Sequence, residues 1–312
     1  PAVMSGLGRN HNREMSKQQS VWATLPPITA GALSTATIMY PMDLLRALKM
    51  SSAADGKAAA STSTLIKNFY NTHGLKGFVS QGVGPEMLRA TYMRVLKFFL
   101  FPITHEALFK KKEAQGSPLT RAIAGGLASL PEGFTIQPIE VSKIVLQLDK
   151  EKKYNNSGTA VMKDILKTRG WSGLFVGYFG IQYRQTSWTA VYFGTLNYFT
   201  DHTKKVIPKE WVTAQNIVGG FLAGMFGAVF NTPGDVIRSA QQKQVFATPA
   251  VPMTPNPVAG VVNFFKMGGN IYAAQGLKGL YFGFGFKAIH LGGSGALLAS
   301  LIPIFKKLMN VN

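Results

Sequence analysis

Three short segments recur in phase along the chain: Pro41-Met-Asp43-Leu-Leu-Arg46, Pro138-Ile-Glu140-Val-Ser-Lys143 and Pro233-Gly-Asp235-Val-Ile-Arg238. Each is a proline, one residue, an acid, two residues, then a base. The prolines stand 97 and 95 residues apart (138 − 41 and 233 − 138). A period of this size means one supersecondary unit made three times, and it constrains the fold before any local motif does. Every unit has the same order: a long apolar stretch broken by the proline, a polar loop with a short amphipathic segment, and a second long apolar stretch.

The spacing predicts helices over Val21–Met50, Leu119–Leu148 and Trp211–Gln244, each carrying one signature proline. Ser51–Ser63 reads as a loop, and Thr248–Pro257 as another, because its prolines cannot continue a helix. Short amphipathic helices are expected over Thr64–Thr72, Thr159–Thr168 and Val258–Ala273. The second long helices run over Pro85–Lys112, Gly180–Lys205 and Phe284–Lys307. Gly220-x-x-x-Gly224 and the Gly125-Gly126 pair suit close helix contact.

Only 15% of the residues are charged, below the ~25% of a typical soluble domain. Mean hydropathy is nonetheless only +0.10, and no stretch offers ~20 uninterrupted apolar residues. Helices lining a polar interior reconcile the two, because their charges face a water-filled cavity rather than lipid. The plainer reading of composition alone is a soluble helical protein.

Thirty-three Lys and Arg against 14 Asp and Glu give a formal net charge of +19. Such a balance suggests nucleic acid, anionic lipid or an anionic ligand. The bases are scattered through apolar helices and no nucleic-acid module occurs, so nucleic acid is not expected. There is no cysteine, so no disulfide, thiol nucleophile or thiolate metal site can form. The five histidines lack zinc-site spacing. No catalytic constellation is found, and neither metal nor cofactor is expected. The first 20 residues, with His11, Arg13 and Lys17, read as a basic extension without a secretory signal's apolar core.

The threefold Pro-x-[Asp/Glu]-x-x-[Lys/Arg] signature resembles that of the mitochondrial carrier family. The resemblance implies an all-α membrane protein of six transmembrane helices in three pseudo-symmetric repeats of about 100 residues, with short matrix helices between them. The repeats would be roughly 21–112, 113–207 and 208–312, forming one domain over 21–312. It also implies a multi-pass protein of the mitochondrial inner membrane that exchanges a small organic anion by alternating access, with lipid partners including cardiolipin.

The spacing puts each signature's proline, acid and base on one helix face. The resemblance implies that they pair around a ring, Asp43–Lys143, Glu140–Arg238 and Asp235–Arg46, closing the matrix end of a cavity. It further implies glutamine braces nine residues after the prolines. Gln147 and Gln242 match; Met50 does not. On the cytoplasmic side the family's [Phe/Tyr]-[Asp/Glu]-x-x-[Lys/Arg] pattern is lost. Pro102, Asn197 and Pro303 stand where the acids would be, so no ionic ring can form there. That departure raises an alternative: a carrier-fold protein retained as a structural subunit of a larger inner-membrane complex. The complete signature ring predicts a resting state closed on the matrix side and open to the cytoplasmic side.

Seven residues after Gly82, Gly177 and Gly283 come Arg89, Arg184 and His290. By resemblance these are substrate-contact positions, with Gln185 beside Arg184 and Lys97 as a further charge. Paired guanidinium groups suit carboxylates. The Arg184-Gln185 pair resembles the oxoglutarate, dicarboxylate and tricarboxylate carriers. Glu86 and Lys287 could pair across the bundle, Glu132 is deep for an acid, and the aromatics of the fourth long helix are expected mostly on lipid or in packing.

Overall fold

A computed structural model describes residues 22–54, 63–64, 66–71, 74, 83–148, 153–155, 157–247 and 257–311; the side chains of 44–54, 83–86, 147–148, 247 and 257 lie outside that description. Of the expected loop Thr248–Pro257 only Pro257 is described, as the first residue of a helix, and most of the expected loop Ser51–Ser63 lies outside the described residues.

Helix α1 (Leu25–Ala54) carries Pro41, and α2 (Val83–Phe109) follows. The α1 helix continues to Ala54, four residues into the stretch read as loop. Residues 66–71 are helical, within the first expected amphipathic segment. A 3-10 turn at Glu113–Gln115 leads to α3 (Pro118–Ala128) and α4 (Leu130–Leu148). Next come α5 (Gly158–Gly173), α6 (Tyr178–Val206), α7 (Val212–Ala247), α8 (Pro257–Leu280) and α9 (Phe284–Leu308). No strand occurs among the described residues.

The second repeat departs from expectation in one place. Its first helix is broken at Ser129, between α3 and α4. Pro131 lies two residues on; it has no amide hydrogen for the carbonyl four residues back, and its ring crowds that turn. The Ser129 hydroxyl caps this end of α3 by donating to the Gly126 carbonyl at 2.7 Å. Pro41, Pro138 and Pro233 sit inside continuous helices, where they bend rather than end them.

Gly177 and Gly283 cap α6 and α9 with φ of 73° and 75°, a left-handed conformation costly for any residue with a Cβ. They turn the chain from the short helices into the second long helix of repeats two and three. The corresponding Gly82 lies outside the described residues.

The long helices form a closed ring. α1 packs on α2, α2 on α3, α3 on α6, α6 on α7, α7 on α9, and α9 back on α1. Small residues permit the approach. A Cβ at Gly220 would meet the Gly295 carbonyl oxygen at 2.6 Å, and one at Gly31 would meet Ile302 at 2.9 Å. Large apolar side chains point outward, among them Leu33, Ile38, Phe134, Ile139, Phe226 and Phe230. A lipid-facing bundle accounts for that surface. Among the described residues, only Val212–Phe246 and Phe284–Leu308 are apolar and long enough to cross a membrane by composition. In the other long helices the charges near the middle, Arg89, Arg94, Lys97, Glu140 and Arg184 among them, line the interior and help build the site.

Candidate functional site

The ring encloses a cavity of about 150 Å³. Eight Lys and Arg side chains and three carboxylates line it, so the interior carries a large positive surplus.

At the signature end, Asp43, Glu140 and Asp235 project inward from α1, α4 and α7, and all three are buried. Arg238 joins two of them: Nη1 donates to Glu140 Oε2 at 3.2 Å and Nη2 to Asp235 Oδ1 at 3.0 Å. Gln242 sits behind as a brace, accepting from Arg238 at 3.2 Å and donating to the Val176 carbonyl at 3.0 Å. Gln147, Arg46 and Glu86 have side chains outside the described residues.

The Glu140–Arg238 pair is thus formed, whereas the Asp43–Lys143 pair is not. Lys143 lines the cavity and has no ion pair among the described residues; Asp43 Oδ1 lies 3.3 Å from His290 Nε2. The expected partner of Lys287, Glu86, has its side chain outside the described residues; Lys287 donates to Asp235 Oδ2 at 2.8 Å. A buried charge takes the nearest opposite charge, and bases of α2, α6 and α9 lie within reach of the signature carboxylates. Arg89 Nη1 donates to Glu140 Oε1 at 3.1 Å.

Arg184 is the exception. It is buried and cavity-lining, 3.7 Å from Asp235 and 3.9 Å from Glu140. Its Nε and Nη2 make no hydrogen bond among the described residues. Asn231 donates to the Arg184 backbone carbonyl at 2.6 Å, fastening α6 to α7 at this level. Arg89, Arg184, Gln185, His290 and Lys97 therefore all line one cavity.

Lys97 and Gln185 share a carboxylate that lies outside the lining. Glu132 on α4 is fully buried. Its Oε2 is 3.1 Å from Lys97 Nζ, and its Oε1 accepts from Gln185 Nε2. The sequence shows the acid's unusual depth but not these partners.

The opposite end is aromatic. Phe98 of α2 lies edge-on to Tyr192 of α6, with ring centroids 5.9 Å apart. The Tyr192 hydroxyl donates to the Gly295 carbonyl of α9 at 3.0 Å. Arg94 of α2 donates to Ser294 of α9 at 3.2 Å. None of these helices neighbours another in the ring, so the three links cross the interior. Trp188 stacks on Tyr192 at 4.8 Å and donates to the Gly224 carbonyl at 3.2 Å; Lys97 sits 5.0 Å over its ring.

Trp188, Tyr192 and Phe193 are buried: of the two places expected for the aromatics of this helix, lipid or packing, these three take packing. Asn197 and Pro303 are exposed. His105, three residues beyond Pro102, is buried against the Lys111 carbonyl and Thr120 Oγ1, where it ties α2 to α3.

Comparison with known proteins assigns this architecture. The family model described as "Mitochondrial carrier protein" matches residues 19–112, 114–206 and 210–312. A "Probable mitochondrial 2-oxodicarboxylate carrier" of Dictyostelium discoideum is 27% identical over 296 residues, covering 94% of this chain and 93% of the relative. The "Mitochondrial 2-oxodicarboxylate carrier" of Rattus norvegicus is 30% identical over 275 residues, covering 84% and 86%. Its namesake in Homo sapiens is 29% identical over 273 residues, covering 84% and 85%. With three signature helices around one cationic cavity and the family model matched three times over nearly the whole length, the chain belongs to the mitochondrial carrier protein family.

Proposed function

We propose that this protein exchanges 2-oxodicarboxylates, or dicarboxylates of similar size, across the mitochondrial inner membrane by alternating access. The observation that carries the reading is Arg184: a buried guanidinium facing the cavity with two nitrogens that make no hydrogen bond among the described residues. An unsatisfied buried donor is costly, and a carboxylate is the group whose geometry satisfies guanidinium bidentately. The relatives' names point to the same ligand class.

The geometry also suggests how binding couples to movement. Arg89, Arg184 and Lys287 contact Glu140 and Asp235. An entering carboxylate competes with those two acids for the same cations and so loosens the signature end. A ligand shifts a conformational equilibrium only through such a difference in contacts. Gln185, His290 and Lys97 complete the proposed contact set. The alternative of a retained structural subunit is not favoured. The acids missing beyond the cavity are answered by the Phe98–Tyr192–Gly295 crossing, so the loss of charge there is not the loss of a barrier.

Arg184→Ala in proteoliposomes tests the assignment. Losing a charge-assisted contact of about 1.5–3 kcal/mol should cut 2-oxoglutarate exchange by about tenfold or more, with the purified protein still folded. Wild-type uptake by the folded variant would remove Arg184 from the site.

A further inference from the structure

We infer that Glu132 is a specificity-determining residue that sets which anion charge the cavity accepts. The inference rests on the carboxylate-exchange reading above. Glu132 does not line the cavity; it lies fully buried in the wall behind two side chains that do. One oxygen neutralises Lys97 at 3.1 Å, and the other accepts from Gln185. Its role differs from that of the signature acids. Glu140 and Asp235 line the cavity and compete with a bound anion for cations, while Glu132 withholds one positive charge from the anion and aims an amide.

The chemistry follows from charge counting. The lining already carries eight bases against three carboxylates. Glu132 offsets one of those bases from behind. Removing its charge adds one positive unit beside the ligand. A trianion gains more from that unit than a dianion does, in proportion to its charge, because the Coulomb energy is linear in each charge. The Lys97–Glu132 pair therefore favours a dicarboxylate over a tricarboxylate of similar size.

Four proteins read the effect: wild type, Glu132→Gln, Lys97→Met, and the double variant. Each is purified, checked for cooperative unfolding, and titrated with 2-oxoglutarate and with citrate, with affinity read from thermal stabilisation. The readout is the ratio of citrate to 2-oxoglutarate affinity, which a purely structural role would leave unchanged. Glu132→Gln should raise the ratio by about tenfold, and Lys97→Met should lower it. The double variant removes both charges at once and should return to the wild-type ratio whatever its absolute affinity. It also covers the case in which Glu132→Gln alone fails to fold, because it leaves no buried charge unpaired; the comparison then runs between Lys97→Met and the double variant. One ratio shared by all folded variants, in a wild type that binds 2-oxoglutarate, would overturn the inference and leave the transport reading standing. A wild type that binds neither anion would overturn both.

Discussion

The two ends of the cavity solve the same problem with opposite chemistry. At the signature end, three buried acids on α1, α4 and α7 are held by basic side chains from α7 and α9 and from α2 at 2.8–3.3 Å. At the other end, α2, α6 and α9 meet through a tyrosine hydroxyl, an arginine on a serine, and an edge-on ring pair. In the proposed cycle a carboxylate ligand offers the bases of the ionic end a substitute partner for three acids. At the aromatic end the only such contact among those named is that of Arg94 with Ser294. The proposed ligand would therefore act mainly on the ionic end.

The largest expected effect lies at the ionic end. Glu140 serves both Arg238 and Arg89, so Glu140→Gln leaves one buried and one partly buried guanidinium group short of a partner. Removing one member of such a network costs about 3–5 kcal/mol. The charge swap Glu140→Arg with Arg238→Glu should not restore that loss, because the new arginine would face Arg89. A swap that recovered wild-type thermal stability would mean that Glu140 and Arg238 are a simple pair and that the network drawn here is too wide.

An intermediate effect tests the aromatic end. Tyr192→Phe keeps the ring stack and deletes the bond to the Gly295 carbonyl, for about 1 kcal/mol. Tyr192→Ala also empties a fully buried site, for about 3–5 kcal/mol. Neither loss should depend on added salt, in contrast to a screened ionic contact. If Tyr192→Phe cost as much as Tyr192→Ala in thermal unfolding, one hydrogen bond rather than packing would hold this end.

The smallest effect calibrates an ionic contact that water reaches. Before and along α5, the Tyr154 hydroxyl donates to Asp164, and Lys153 lies 3.4 Å from the same carboxylate. The Tyr154 hydrogen bond, followed by the Lys153 charge, holds the Asp164 carboxyl below its ordinary range. A depressed carboxylate contributes stability while it is ionised. That contribution is complete above the ordinary carboxylate pKa and is lost as pH falls through the lowered folded value. Tyr154→Phe should thus lower the thermal midpoint slightly at pH 7, by well under ~1 kcal/mol, and the difference from wild type should shrink as pH falls below the ordinary carboxylate range. A difference that grew on acidification would show that Asp164 is not the partner that matters.

Much of this was legible along the chain. Pro41, Pro138 and Pro233 mark their helices because proline's missing amide and fixed φ act locally, whatever surrounds them. The acids at 43, 140 and 235 could be assigned to an interior because charge on an apolar helix has few other places to go. Arg89, Arg184 and His290 could be placed at one level from their offsets after the glycines, and they do line one cavity. Less visible was the break at Ser129, although Pro131 was its signal.

The threefold period, the helical units and the cationic character of the interior follow from the sequence alone, because proline geometry, helical periodicity and net charge are properties of residues and their spacing. Which carboxylate each cation takes was decided only by the tertiary structure. Asp43 meets His290 rather than Lys143, Lys287 meets Asp235, and Glu132 collects Lys97 and Gln185. The direction in which Trp188 and Tyr192 point was decided there too. Their helix has aromatic residues on several faces, so no periodicity separates the inner rings from the outer ones. Pairing and facing depend on distances between helices that are remote in the chain, and those distances exist only once the ring has closed.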